Sequence, residues 1–251
     1  MESKSTPLPR LVLFDMDDTL FDHSLTCRAA LAEVGSEYPR LRTRPIAVLW
    51  NEYLRLLDAP SPEISAAPDV YVRLRAERFR CLASFCGWTI NPSRAAEISL
   101  RYREEYQRLR RPVPGAPRFV RRVAARARVG MVTNNEYPEQ EEKLRFLGLA
   151  DVVDPLVVSA QEQVAKPDPR IFRIALERAG APASETVMVG DSWRNDVLGA
   201  RAAGIRPVWF NRFNRPRPSR HPAEEIRSFR PFGAAEAALH RRKPAVRKTH
   251  K

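Results

Sequence analysis

The chain has 251 residues, a hydrophobic share of 43% and a net charge of +13, which suits one large domain or one domain carrying an inserted smaller one. No apolar run approaches the roughly 18 residues of a membrane span. The opening MESKSTPLPR lacks the apolar core of a signal peptide, so the sequence reads as cytoplasmic. Cys27, Cys81 and Cys86 show no paired metal-ligand spacing and read as reduced, buried thiols. From Arg206 to Lys251 there are 13 Lys or Arg against 3 Glu, a net of +10, which leaves the remaining 205 residues near +3. The positive charge thus belongs mainly to the C-terminal stretch and is not the evenly basic face of a nucleic-acid-binding domain.

In chain order, RLVLF (10–14) predicts a buried strand. Between Asp22 and Arg111 the periodicity turns helical, over 45–57, 70–85 and 92–109, with Asn91 and Pro92 as N-cap and first helical residue of the last. RRPVPGAP (111–118) reads as a stiff hinge. From Arg128 short apolar runs alternate with helical patterns. Strands are expected at 129–133, 155–159, 186–190 and 206–210, with helices near 136–147, 168–179 and 194–203. Gly148, Gly180 and Gly204 follow those helices as left-handed C-caps. Such alternation predicts an α/β fold around a parallel sheet covered on both faces. The boundaries are 1–21 with 112–240 for the α/β part and 22–111 for an all-helical insertion. A last helix lies in GAAEAALH, and 241–251, with six basic residues and no acid, is expected to be a disordered tail.

The polar residues that stand out all follow predicted strands. Asp15, Asp17 and Asp18 crowd behind the first, where clustered carboxylates repel unless a cation or shared protons intervene. Thr133 and Asn134 end the second, Lys166 lies in VAKPDPRIF just before a helix, and Asp191 ends TVMVG with Asp196 five residues on in GDSWRND. Taken singly, each has a plain alternative: a solvated turn, a strand-end Thr, a surface lysine, an N-cap. Taken as an ordered set on the carboxyl edge of a parallel sheet, where ligands bind, they fit one chemistry. Asp15 can attack phosphorus as a nucleophile, and Asp17 can serve as general acid and base. Magnesium suits the carboxylates of Asp15 and Asp191 with the Asp17 carbonyl, and Thr133, Asn134 and Lys166 can bind the remaining phosphate oxygens.

These four motifs, DMDDTL, Thr133, Lys166 and GDSWRND, resemble those of the haloacid dehalogenase superfamily of phosphatases, over nearly the whole chain to about Leu239. The resemblance implies a Rossmann-like parallel-sheet core with an inserted helical cap. It implies Asp15 as nucleophile, Asp17 as general acid and base, Mg2+ on Asp15, Asp17 and Asp191, and Asp196 as an orienting residue behind the metal or Lys166. The family often has Gly where this chain has Asp18. VTNNEYPEQEEKLRFLGL and AKPDPRIF are most similar to the branch with pyrimidine 5′-nucleotidases and acylneuraminate phosphatases. A small phosphorylated metabolite is the implied partner, with selectivity from the cap, where Trp50, Tyr53, Tyr71 and Trp88 are core or pocket residues.

Two other reactions use this fold. A dehalogenase needs the nucleophile but no leaving-group acid, so Asp17 argues against it; a phosphomutase uses the same residues. A different class, a nucleic-acid-associated protein working through the Arg-rich end, has no accompanying motif. Its aromatics Trp209, Phe210, Phe213, Phe229 and Phe232 read as structural, leaving only weak, tail-mediated polyanion binding.

Overall fold

The computed structural model describes residues 8–58 and 68–240; the expected tail, 241–251, lies outside them. The chain divides into two compact units, residues 1–21 with 112–251 and residues 22–111.

Strand β1 (Leu11–Phe14) opens the first unit. The second unit follows with α1 (His23–Glu37), α2 (Ile46–Asp58), α3 (Pro68–Phe85) and α4 (Pro92–Arg108). The first unit then resumes with α5 (Ala116–Ala124), β2 (Arg128–Thr133), α6 (Tyr137–Phe146), β3 (Leu156–Val158), α7 (Ser159–Glu162), α8 (Pro169–Ala179) and β4 (Thr186–Gly190). A π-helical turn (Trp193–Leu198), α9 (Gly199–Ala202), β5 (Arg206–Phe210), β6 (Glu224–Ile226) and α10 (Phe232–Ala237) complete it.

The six strands form one sheet in the order β3-β2-β1-β4-β5-β6, and every pairing is parallel. The connections from β1 as far as β5 carry helices onto the faces, whereas β5 reaches β6 through a helix-free loop, 211–223; the helices explain why the central strands are apolar on both sides. Leu11 and Leu13 of β1 share a core with Ile171 and Phe172 of α8. Phe14 meets Phe119 of α5 edge-on at 6.3 Å. Phe119 stacks on Phe229, which stacks on Phe210, so Phe210 and Phe229 are structural, as is the buried Trp209.

The helical unit is held by an aromatic cluster in which Phe79 and Tyr102 lie 5.1 Å apart and Tyr53 packs on both. Tyr53 is therefore core. Trp50 and Trp88 are half-buried, and the Tyr71 side chain lies outside the described residues. Asn91 caps α4 by accepting from the Arg94 N–H at 2.8 Å. Cys27 and Cys86 are buried, Cys81 is half-buried, and all three are free.

The chain departs from expectation in three places. Residues 111–118 are not all hinge, since α5 begins at Ala116; Gly115 caps it in the left-handed region at φ 85 and Pro117 fits its first turn. Helix α1 has no strong apolar stripe because small residues carry its buried face, namely Thr26, Cys27, Ala30 and Gly35 beside Leu31 and Val34. The edge strand β6, EEI, has two glutamates in three residues, a charged edge that no alternation marks.

Candidate active site

The order of strands reverses between β1 and β4: connections run outward to β2 and β3 on one side, and to β5 and β6 on the other. At such a switch point the crossovers leave in opposite directions and open a crevice beyond the strand carboxyl ends. Asp15 directly follows β1 and Asp191 directly follows β4. The Asp15 N–H donates to the Val189 carbonyl at 2.9 Å, which locks the two exits together.

Lys166 organises the centre of the site. Its ammonium donates to Asp15 Oδ1 at 2.6 Å and to Asp196 Oδ1 at 2.7 Å, with all three side chains buried. Burial alone would lower the pKa of this lysine, but the Asp15 and Asp196 carboxylates outweigh it and hold the group charged. Its backbone is fixed by Asn134, whose Oδ1 accepts from the Lys166 N–H at 2.8 Å and whose Nδ2 donates to the Lys166 carbonyl at 2.9 Å. The sequence predicts Asn134 on substrate phosphate; in the fold its side chain is spent on Lys166. Thr133 is buried at the end of β2, beside Val158 of β3.

Asp196 sits on the π-helical turn, a form that recurs at functional sites. Its Oδ2 accepts from the Ser192 N–H at 2.9 Å. Its carboxylate packs onto Gly190, where a Cβ would overlap the carboxyl group. Gly190→Ala is accordingly expected to push Asp196 off Lys166 and lower turnover at least about tenfold, a loss of more than 1.4 kcal/mol in transition-state binding. Unchanged kcat/KM in a folded Gly190→Ala protein would show that Asp196 is not needed there.

Sequence reasoning did not single out Thr19. Its hydroxyl donates to Asp15 Oδ2 and accepts from the Asp191 N–H, both at 3.0 Å, so one side chain joins the two strand exits. Asp18 stands at φ 59, the left-handed region that Gly enters freely and Asp enters better than most residues. That backbone demand accounts for the Gly of related motifs.

The Asp17 carboxylate has a separate set of partners. Lys143 of α6 donates to its Oδ1 at 2.7 Å, while Gln140 and Asn135 approach Oδ2 at 3.3 and 3.4 Å. Lys143 also pairs with Glu139 at 3.1 Å. Burial would lower the Lys143 pKa, and the Asp17 and Glu139 charges reverse that.

Asp15, Asp191 and Asp196 offer oxygen atoms that all lie within 4.8 Å of one another. Burial, opposed by Lys166 and reinforced by Asp196 and Asp17, pushes the Asp15 carboxyl up to about 7. Burial and the charges of Asp15, Asp196 and Asp18 raise Asp191 well above the usual carboxylate range, with Arg215 opposing; its guanidinium is 3.9 Å from Asp191 Oδ2. Lys166 bonds Asp15 and Asp196, and Asp191 adds a third carboxylate beside them, so the negative charge, offered entirely by oxygen, exceeds the one buried ammonium and fits a small hard cation.

The model of the haloacid dehalogenase-like hydrolase family matches residues 9–204. The phosphoserine phosphatase of Thermus thermophilus is 32% identical over 91% of this chain and 99% of its own length. The Escherichia coli pyrimidine 5′-nucleotidase YjjG is 40% identical over 43% of this chain and 48% of its own. Among solved structures, the HAD-hydrolase YfnB of Bacillus subtilis superposes with a TM-score of 0.72 over 91% of this chain and 99% of that one, at 24% identity. A parallel sheet with its acidic cluster at the switch point, and a family match across most of the chain, lead to one conclusion: the protein belongs to the haloacid dehalogenase-like hydrolases.

Proposed function

We propose that the protein is a magnesium-dependent phosphatase that hydrolyses a small phosphomonoester, of the nucleotide or sugar-phosphate class, through an aspartyl-phosphate on Asp15. The observation that carries this reading is the pair of carboxylates two residues apart, each with its own buried lysine, Asp15 on Lys166 and Asp17 on Lys143. One is held for attack and the other for proton transfer.

An oxygen of Asp15 attacks phosphorus, and the bond from phosphorus to the ester oxygen breaks. Asp17 gives its proton to that departing oxygen, then takes a proton from the water that cleaves the aspartyl-phosphate. Thr133 and Lys166 bind the phosphate oxygens, and Asn134 serves by fixing the Lys166 backbone. Asp15, Asp191 and the Asp17 carbonyl would hold Mg2+, and Asp196 orients Lys166. When bound, magnesium would supply positive charge that lets a phosphate dianion approach a carboxylate. A dehalogenation needs no leaving-group acid, so a second carboxylate held two residues after Asp15 supports the phosphatase reading.

The relatives named phosphatase and nucleotidase support phosphomonoester chemistry. The helical unit, 22–111, is proposed to act as the cap that sets substrate choice. No helix among the described residues is long and apolar enough to cross a membrane. Phosphorylated metabolites are charged and stay in the cytoplasm, where the enzyme is proposed to act.

The test is a screen of the full-length protein against nucleoside monophosphates, sugar phosphates and phosphoglycolate. Phosphate release is expected with magnesium, loss of turnover in EDTA, and recovery when magnesium returns in excess. Undiminished turnover in chelator would overturn the metal assignment. Halide release from 2-haloacids without phosphate release from any ester would overturn the phosphatase reading.

A further inference from the structure

Arginine outnumbers lysine 37 to 6 in this chain, and between residues 8 and 240 the lysines are Lys143 and Lys166 alone. Both are buried. Lys166 is part of the four-motif site; Lys143 belongs to none of the motifs. It lies on α6 in YPEQEEKLRF, among acidic residues that suggest a solvated helix. The same helix shows what a solvated pair looks like: Arg145 and Glu141, spaced i and i+4, are 61% and 41% exposed. The Lys143 side chain, spaced likewise from Glu139, is 2% exposed. Its Nζ reaches Asp17 Oδ1 at 2.7 Å and lies 5.2 Å from the centre of the Phe21 ring.

An ammonium is strongly hydrated, and burying one is costly unless its charge is met. Arginine, the residue this chain uses elsewhere, is a wide planar fork; lysine delivers a compact charge to one oxygen. That is what Asp17 receives. Its Oδ1 takes the short, charge-assisted bond from Lys143, whereas Oδ2 is met at 3.3 Å by Gln140, itself fully buried, and at 3.4 Å by Asn135. In these contacts the two oxygens differ: Oδ1 takes the short ionic bond and Oδ2 the two longer amide bonds.

We infer that Lys143 is a positioning residue for the reaction proposed above, fixing Asp17 by Oδ1, with Gln140 and Asn135 on Oδ2, so that the carboxyl group is held in place to protonate the leaving oxygen. The balance is simple. As Asp15 bonds to phosphorus and the ester bond breaks, the electron pair stays on the ester oxygen, and the proton of the Asp17 carboxyl group moves to it. Lys143 neither gains nor loses a proton in that step.

The inference rests on the phosphatase reading, and the experiment separates the two. An alkyl phosphate such as glycerol phosphate needs its leaving oxygen protonated, and p-nitrophenyl phosphate, with a stable anionic leaving group, needs this far less. We compare kcat/KM for the two esters, because it reports the steps up to departure of the alcohol. Lys143→Met is expected to lower the alkyl value by roughly 10²-fold, a typical contribution of positioned acid catalysis, and to lower the alkyl-to-aryl ratio at least tenfold. Asp17→Asn should shift the ratio the same way. In the Asp17→Asn background, Lys143→Met should cost less than about threefold, because the two residues act as one unit. Lys143→Gln, which keeps a donor, should recover part of the ratio.

Equal losses for both esters, or a full Lys143→Met loss in the Asp17→Asn background, would make Lys143 merely structural and overturn the inference. An unshifted ratio in Asp17→Asn itself would instead overturn the role given to Asp17. Should Lys143→Met fail to fold, Gln140→Leu is the second probe: a several-fold fall in the ratio supports the arrangement, and an unchanged ratio counts against it.

Discussion

Asp15→Asn is expected to abolish phosphate release, with kcat at least about 10⁴-fold lower, since loss of a nucleophile typically removes most of the chemical acceleration. Asparagine keeps the size of the side chain and one oxygen that can accept from Lys166, and its NH2 can donate to the Thr19 hydroxyl, so the loss should be chemical. Stability provides the control. The folded Asp15 carboxyl titrates near 7, well above its ordinary 3.8. Between those values the folded state holds a proton that the unfolded chain has released, so this group makes stability fall as pH rises from about 4 through about 7. Asparagine has no such titration. The metal-free variant should therefore melt at or above the wild-type temperature at pH 7.5, with the difference shrinking at pH 5. It should also lose much of the upward shift that magnesium gives the wild type, because one of the two proposed carboxylate ligands has lost its charge. Turnover of p-nitrophenyl phosphate by a folded Asp15→Asn protein would sink the assignment.

The outline of this site was legible because parallel sheets write their active edge into the sequence. A strand buried on both faces is an uninterrupted apolar run, so its end is visible, and the first polar residue beyond it lies on the edge where ligands bind. Asp15 after LVLF and Asp191 after TVMVG are found that way. Thr19 escapes such reading. It lies in a turn, and only the fold brings its hydroxyl between Asp15 and the Asp191 amide.

Lys143 escapes for a different reason. Glu139, Glu141 and Glu142 make α6 look solvated all round, while Gln140, Lys143 and Leu144, spaced i, i+3 and i+4, form its buried face. A signal was nonetheless present: a lysine placed where this chain almost always uses arginine. The misread helix start at Ala116 and the unpredicted α1 share one cause. Proline in a first turn and small residues on a buried face both weaken the periodicity that marks a helix.

Lys166→Met is expected to damage both stability and catalysis, in a way that identifies what the lysine neutralises. The wild-type ammonium bonds Asp15 at 2.6 Å and Asp196 at 2.7 Å. Its removal leaves these carboxylates and Asp191 clustered within 4.8 Å with their main buried counter-charge gone. Breaking one side of a buried ion pair typically costs about 3–5 kcal/mol. The sign with pH follows from the carboxylates. Without Lys166 the Asp15 carboxyl, already raised by burial, is raised further, so the folded state binds its proton more tightly than the unfolded chain does. The deficit is then largest at pH 7.5 and shrinks as the pH falls toward 5. Magnesium is expected to raise the melting temperature of Lys166→Met by more than it raises that of the wild type, because the variant offers it a more negative cluster. Activity should stay at least about 10²-fold down even at saturating magnesium, since Asp15 is no longer held and the phosphate has lost a cationic partner. A stability deficit of equal size at both pH values would mean that the methionine simply packs badly. A magnesium shift no larger than that of the wild type would mean that these carboxylates do not form the metal site.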